Sequence, residues 1–341
     1  MSIIYEGNKY YISDWKYLHP GGALLIESAK GKDITELYKS YHRVSFQDAT
    51  KNLPRNYKNY YNFSYKYKQI QEDTYSKIKK FDRESCDKYD IIMWISFFLY
   101  VMDINCILSG ILLIILGGYG HQYVHTSSDK ASMLTLVGFI SNQWRDEHVF
   151  SHHPYTNTDD DVDLGVFMDI NKIPLPSFLR FLIVSIVIVF RPFVQYFIPK
   201  YFCKATNVDI IFMLYNLYDI YVNLYGGFMM HWFIKRLIPS IWFLVINYFN
   251  HYNGVKVTKV TNDWLEQQVA STQNFVFSHW LYNKYPFVHS LLTFGLDRQV
   301  EHHIFPKVKM EHLSKVNTDG LDVKVHYFSW ESVKKICNKF V

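Results

Sequence analysis

Cysteine is scarce in this 341-residue chain, and its four copies (Cys86, Cys106, Cys203 and Cys337) stand far apart with no Cys-x-x-Cys among them. That spacing excludes both a disulfide framework and a thiolate zinc site. No Glu-x-x-His occurs anywhere, which removes the ligand motif of soluble di-metal carboxylate bundles. His-x-x-x-His pairs do occur. Gln122 and Val149, however, stand where a zinc protease carries its glutamate base, so that chemistry is disfavoured. No apolar leader lies between Met1 and Tyr11, and the N-terminus is expected to stay in the cytosol. Excess charge is also lacking: the net charge is +5 with no basic stripe, which argues against a nucleic-acid partner.

What is plentiful is apolar and aromatic. Apolar residues make up 49% of the chain and aromatics 18%, the Tyr-, Phe- and Trp-rich mixture that membrane interfaces favour. The length leaves room for a small domain beside a membrane-embedded one. Three histidine clusters punctuate it: His121-Gln122-Tyr123-Val124-His125, His148-Val149-Phe150-Ser151-His152-His153, and Gln299-Val300-Glu301-His302-His303. On a helix, residues three and four apart share a face, so each cluster reads as one turn of converging nitrogens. Seven imidazoles are too many for one tetrahedral zinc and suit two metal ions with room for dioxygen or water. Imidazole accepts iron, copper, zinc and nickel alike, so the ligands alone leave the metal open.

Residues 1–60 read as a soluble unit. Ile3-Ile4-Tyr5 and Tyr10-Tyr11-Ile12 flank the turn-like Glu6-Gly7-Asn8-Lys9, which predicts a hairpin. His19-Pro20-Gly21-Gly22 follows, then a helix start at Ala23-Leu24-Leu25-Ile26, and later His42. A tight glycine turn lets backbone approach a flat ligand, and two histidines on opposite sides could supply the axial bonds of a haem. Residues 61–90 are polar and basic and read as a cytoplasmic linker.

From Ile91 the chain turns apolar, with a break near Asp103 to Asn105. If electrons pass from the first unit to the first cluster, both lie on one side and the crossings between them must be even. Two crossings normally take about 40 residues and only about 30 are available, so two short helices are expected. Residues 126–147 read as an interfacial segment. The run Asp159-Asp160-Asp161-Val162-Asp163 is expected to hold neighbouring imidazoles through their second ring nitrogen, ahead of a calcium site. Phe181–Phe190, Ile210–Tyr218, Ile220–Ile234 and Leu237–Val255 supply the remaining apolar mass, with Asn216, Asp219 and Asn223 costly if they face lipid. Two long spans plus interfacial helices fit this region.

His19-Pro20-Gly21-Gly22, Gly31-Lys32-Asp33-Ile34-Thr35 and His42 together resemble the haem-binding core of cytochrome b5. Gly295-Leu296-Asp297-Arg298-Gln299-Val300-Glu301-His302-His303-Ile304-Phe305-Pro306 resembles the third histidine box of front-end lipid desaturases, in which glutamine replaces the first histidine and a cytochrome b5 domain is fused N-terminally. His152-His153-Pro154-Tyr155-Thr156-Asn157 is similar to the second box. Two departures stand out. Box one usually begins His-Asp and here reads His121-Gln122, and only eighteen residues precede His19, which implies a more open haem pocket or a shifted potential.

The resemblance implies a membrane all-α desaturase domain (residues 91–320) of about four transmembrane helices, with histidine boxes facing the cytosol. A small N-terminal α+β cytochrome b5-like domain precedes it, and residues 321–341 form a cytosolic tail. It implies haem b held by His19 and His42, and two irons held by His121, His125, His148, His152, His153, His302 and His303. Gln299 contributes a weak ligand or a hydrogen bond, and His251 and Asn274 are candidates to complete the shell. The implied reaction is O2-dependent insertion of a cis double bond into an unsaturated acyl-lipid or acyl-CoA. Electrons come from an NADH-dependent cytochrome b5 reductase, at the endoplasmic reticulum. A sphingoid-base desaturase, a lipid hydroxylase on the same irons, and a non-catalytic haem electron carrier remain as alternatives.

Overall fold

The computed structural model describes residues 2–11, 23–42, 46, 64–78, 87–126, 128–158, 161, 174–252 and 263–339. His19 and its Pro-Gly-Gly turn lie outside the described residues, as do Asp159, Asp160 and Asp163.

The chain opens with the expected hairpin. Strands β1 (Ser2–Tyr5) and β2 (Asn8–Tyr11) pair antiparallel with Tyr5 opposite Asn8. The two-residue loop is Glu6 and Gly7, both at positive φ, the twist a tight hairpin needs. Ile3 and Tyr5 alternate onto one face with Tyr10, and Phe46 stacks on Tyr5 at 3.9 Å. Helix α1 (Ala23–Ser28) begins where the sequence predicts a start. Helix α2 (Thr35–Tyr41) follows an Asp33 whose carboxylate accepts from the Thr35 N–H at 3.0 Å, and His42 terminates it.

Helix α3 (Tyr65–Lys77) occupies the described part of the expected linker, with Ser64 as its N-cap. It buries Tyr67 and Tyr75 against Phe305, so the segment is packed on the third histidine box as well as charged. The first apolar stretch is two helices, α4 (Asp87–Met102) and α5 (Cys106–Val124), broken at Asp103 to Asn105 as expected. Asp103 takes a positive φ, and the Asn105 side chain accepts from the N–H groups of Ile107 and Leu108. Tyr123 donates to Asp90 at 2.7 Å, so both outer ends of the hairpin lie together and the turn lies at the other end. At 1.5 Å per residue α4 is about 24 Å long, short for a bilayer crossing, and α5 about 29 Å.

Helices α6 (Ser177–Phe197), α7 (Asn207–Tyr225) and α8 (Met229–Asn247) complete the apolar layer. Among the described residues three helical stretches are long and apolar enough to cross a membrane, Cys106–Val124, Ser177–Phe197 and Met229–His251, with Asp90–Met102 a shorter fourth. Helix α7 carries Asp219, costly if it faced lipid, in a buried position. The reason is a buried ion network: Lys235 donates to Asp219 at 2.7 Å and to Asp103 at 2.5 Å, and Arg236 donates to Asn216 at 2.5 Å. The polar side of α7 is thereby satisfied inward, while Ile211, Leu214, Tyr218 and Tyr221 remain outward-facing apolar surface. Helix α8 starts at the hairpin turn, through a His231 bond to Asp103 of 3.0 Å, and ends at the histidine clusters.

Residues 321–339 pack on the rest of the protein. Strand β3 (Asn274–Val276) pairs in parallel with β4 (Val325–Tyr327), and the helix Trp330–Lys339 buries Ile336.

Candidate metal centre

Three local conformations aim the histidines. Helix α5 carries His121 on its last turn and His125 at its C-cap. Two glycines let that turn approach its neighbours. A Cβ on Gly120 would sit 2.6 Å from the Leu134 backbone nitrogen, and one on Gly118 would sit 2.9 Å from the Phe294 Cα, just before the third box. Buried Arg145 fixes the helix end, donating from Nε to the Val124 carbonyl at 3.0 Å and from Nη2 to Thr126 at 3.1 Å. The second cluster lies on a π-helical segment, Arg145–His152, followed by a short helical turn at His153–Tyr155. The wider π winding brings residues five apart together, and His148 and His153 meet through their Nε2 atoms at 3.1 Å. The third cluster is the short helix α9 (Gln299–Ile304), reached through Phe294 and Gly295, both at positive φ. A second π-helical segment, Tyr248–Tyr252, presents His251.

The three clusters converge on one buried place. His121, His125, His148 and His302 form one group of ligand nitrogens within 4.8 Å of one another, and His152, His251 and His303 form another. His153 lies between the groups, its ring 4.6 Å from that of His148 and 4.3 Å from that of His303. His121 and His148 bring their Nε2 atoms to 2.8 Å. Buried Nε2 atoms of His125, His302 and His303 have no hydrogen-bond partner among the described residues. Acceptor nitrogens crowded together and unpartnered in a dry site are costly alone and are what a pair of cations satisfies.

The second ring nitrogens are held from outside. His152 Nδ1 meets Asp161 Oδ2 at 2.9 Å, the role expected of that aspartate run. His303 Nδ1 meets Gln268 Oε1 at 3.1 Å, and His125 Nδ1 meets the Tyr41 hydroxyl at 2.6 Å. Burial, reinforced by neighbouring imidazoles, holds His125, His148, His153, His302 and His303 well below the ordinary histidine pKa. They are therefore neutral near pH 7, the form that ligates metal.

The other candidates are placed as follows. Gln299 brings Nε2 to 2.8 Å from His251 Nε2. Asn274 has its side-chain amide taken up, donating to Glu301 at 2.8 Å and accepting from the Val300 N–H at 2.9 Å. Gln122, at the position usually held by aspartate, accepts from the Met310 N–H at 3.1 Å and so ties the first box to the chain after the third. His42 sits at the end of α2 with Nδ1 3.1 Å from the Tyr38 carbonyl.

An apolar cavity opens beside His121, His148 and Gln299. Leu113, Val137, Phe139, Phe243 and Phe294 line it, and Arg236 marks its far end. From Asn247 to Arg236 along α8 it extends about 16 Å.

The sequence model for fatty acid desaturases matches residues 99–322, and that for the cytochrome b5-like heme/steroid binding domain matches residues 1–65. The chain is 22% identical to an acyl-lipid (9-3)-desaturase of Borago officinalis, over 92% of this chain and 82% of that one. It is 21% identical to a probable Delta(5) fatty acid desaturase C of Dictyostelium discoideum, over 99% and 86% respectively. It is 23% identical to Delta(8)-fatty-acid desaturase 2 of Arabidopsis thaliana, over 92% and 82%. No solved structure matches it. With this match and the buried imidazole clusters beside an apolar cavity, the chain belongs to the fatty acid desaturase family and carries a cytochrome b5-like domain at its N-terminus.

Proposed function

We propose that this protein is a front-end fatty acid desaturase that inserts a cis double bond into an already unsaturated acyl chain, between the existing bond and the carboxyl end. The carrying observation is the pair of buried imidazole groups joined by His153 at the mouth of an apolar cavity. His121, His125, His148, His152, His153, His302 and His303 hold two irons in this reading, and His251 joins the second group. Gln299 supports His251 at the cavity wall.

The chemistry that such a pair of irons supplies when bound is reductive activation of dioxygen, which an unactivated methylene requires. The protein does the rest. Cavity walls of Leu113, Val137 and Phe243 take up the acyl chain and exclude water from it. Trp144 stacks on His148 at 5.2 Å and, with Phe294, confines the chain next to the imidazoles. Asp161, Gln268 and Tyr41 keep the ligating nitrogens aimed inward by binding the opposite ring nitrogen. Overall, two hydrogens leave the chain, two electrons arrive from the donor, two protons come from solvent, and dioxygen leaves as two waters.

The domain boundaries belong to the same proposal: a haem domain at 1–60, a linker at 61–90, a membrane domain at 91–320 and a C-terminal segment at 321–341. Haem b lies between His19 and His42, and an NADH-dependent cytochrome b5 reductase recharges it. Helices α4, α5, α6 and α8 are the four spans, with the histidines and the haem domain on the cytosolic side of the endoplasmic reticulum. The even crossing count supports this sidedness, since Asp90 and Tyr123 lie together at the histidine end of the first hairpin.

The test is expression in a host fed defined unsaturated acyl chains, with new double bonds located by gas chromatography and mass spectrometry. A new bond on the carboxyl side of the existing one is expected. A hydroxylated product would keep the irons and overturn the reaction.

A further inference from the structure

Tyr41 and His42 are chain neighbours at the end of α2, yet they belong to different sites. The Tyr41 side chain leaves its own domain, and its hydroxyl lies 2.6 Å from Nδ1 of His125. The two rings are 6.3 Å apart. The opposite nitrogen of His125, Nε2, faces the first imidazole group, so the Nδ1 proton is shared with the phenol oxygen. His42 is held by its own domain, stacked on Tyr38 at 4.1 Å and bonded through Nδ1 to the Tyr38 carbonyl. A single dipeptide therefore runs from the position of a haem ligand to a hydrogen bond on the position of an iron ligand.

The docking that makes this contact has its own clamp. Lys32 reaches from the first domain to Asp146 at 2.8 Å and lies over the Phe150 ring at 4.4 Å, on either side of His148. Asp146 also receives Lys204 at 2.5 Å. An outer partner of a ligating histidine is usually a carboxylate, a carbonyl or water. Asp161 and Gln268 fill that place for His152 and His303, whereas His125 receives a phenol from the electron-donating domain.

We propose that Tyr41 is the bridge through which electrons pass from the haem to the iron at His125, and that it also positions that imidazole. The inference rests on the haem and iron assignments above. In each transfer one electron leaves the ferrous haem, which becomes ferric, and one ferric iron of the centre becomes ferrous. No bond is made or broken, the Nδ1 proton stays on His125, and the external reductase replaces the electron.

The experiment uses full-length protein carrying haem and iron, fully reduced with dithionite, freed of excess reductant and mixed with oxygenated buffer and an unsaturated acyl substrate. First-turnover product draws on electrons already in the iron centre, whereas haem reoxidation, followed by absorbance, requires transfer between the sites. Iron-free protein supplies the background rate. Tyr41→Phe is expected to keep the haem spectrum and to lower iron content and first-turnover product together, by up to about tenfold, because an outer partner of a ligating imidazole is lost. Haem reoxidation per bound iron is expected to slow beyond that loss. Reoxidation that falls only in proportion to first-turnover product would overturn the bridge and make Tyr41 structural only. Lys32→Glu is the companion variant, since it opens the clamp and leaves every imidazole and Tyr41 intact. It is expected to keep iron and first-turnover product and to slow reoxidation, and native reoxidation there would refute transfer through the docked contact. Wild-type haem that reoxidises no faster than in iron-free protein would remove the functional reading itself.

Discussion

Asp161 offers the sharpest test of how the site is held, because it reaches the imidazoles without facing the metal positions. Its Oδ2 binds His152 Nδ1 at 2.9 Å and accepts the Asn157 N–H at 2.9 Å. Asn157 in turn donates to the carbonyls of His251 at 3.0 Å and Ser271 at 2.8 Å, so one carboxylate supports two histidines of the second group. Asp161→Ala removes the acceptor of a buried ring N–H and of a buried backbone N–H. Each costs about 1–3 kcal/mol, which removes roughly 2–6 kcal/mol of local support. Loss of an outer-shell partner of this kind lowers metal affinity or activity by about 10- to 100-fold. The assay is non-haem iron per haem in purified protein, beside product yield in the fed host. The expected result is loss of iron and product with an unchanged haem spectrum, and Asp161→Asn should fall between alanine and wild type. Full iron content and native yield in Asp161→Ala would refute the account.

Other perturbations have equally definite outcomes. Five buried imidazoles, those of His125, His148, His153, His302 and His303, have folded pKa values far below the unfolded value of about 6.5. Below about pH 6.5 the unfolded chain binds more protons than the folded one, so the iron-free protein should lose stability as pH falls from 7 to 5. Thermal unfolding in detergent measures this, and a flat or rising midpoint would contradict it. Ser240→Phe fills the cavity about 10 Å along α8 from Asn247 and should abolish conversion of long acyl chains while haem and iron stay native. Unchanged conversion would move the substrate elsewhere. Lys235→Met takes the nearest cation from Asp219 and Asp103, leaving Arg236 at 3.6 Å and His231 at 3.0 Å, and should cost up to about 3–5 kcal/mol, and Asp219→Leu in the same chain should restore part of it. Equal stability of the single variant and wild type would show that the network does not hold the helices.

Much of this architecture is legible in the sequence because it depends on short-range rules. Glu6-Gly7 forms the hairpin loop, and Asp103 and Asn105 break the apolar stretch through turn and capping geometry. The aspartate run places Asp161 against His152 because a carboxylate next to a histidine cluster has an obvious acceptor role. Features that depend on tertiary packing are not legible in the same way. The π winding of residues 145–152 pairs His148 with His153, five apart, where helical periodicity pairs residues four apart. His251 stands alone in sequence and joins the second group only because a π turn ends its span. Asn274 has a plausible position in sequence, yet its amide is taken by Glu301 and Val300. Asp219 reads as a residue costly against lipid until Lys235, on another helix, is seen to neutralise it. Tyr41 carries no sequence signal, since its partner His125 is 84 positions away.

The central claim is that the converging histidines hold two irons separate from the haem. Metal and haem quantification on one purified sample, wild type beside His302→Ala, tests it directly. The account predicts two non-haem irons for each haem in the wild type, and loss of non-haem iron with an intact haem spectrum in the variant. Haem iron alone in the wild type would contradict it.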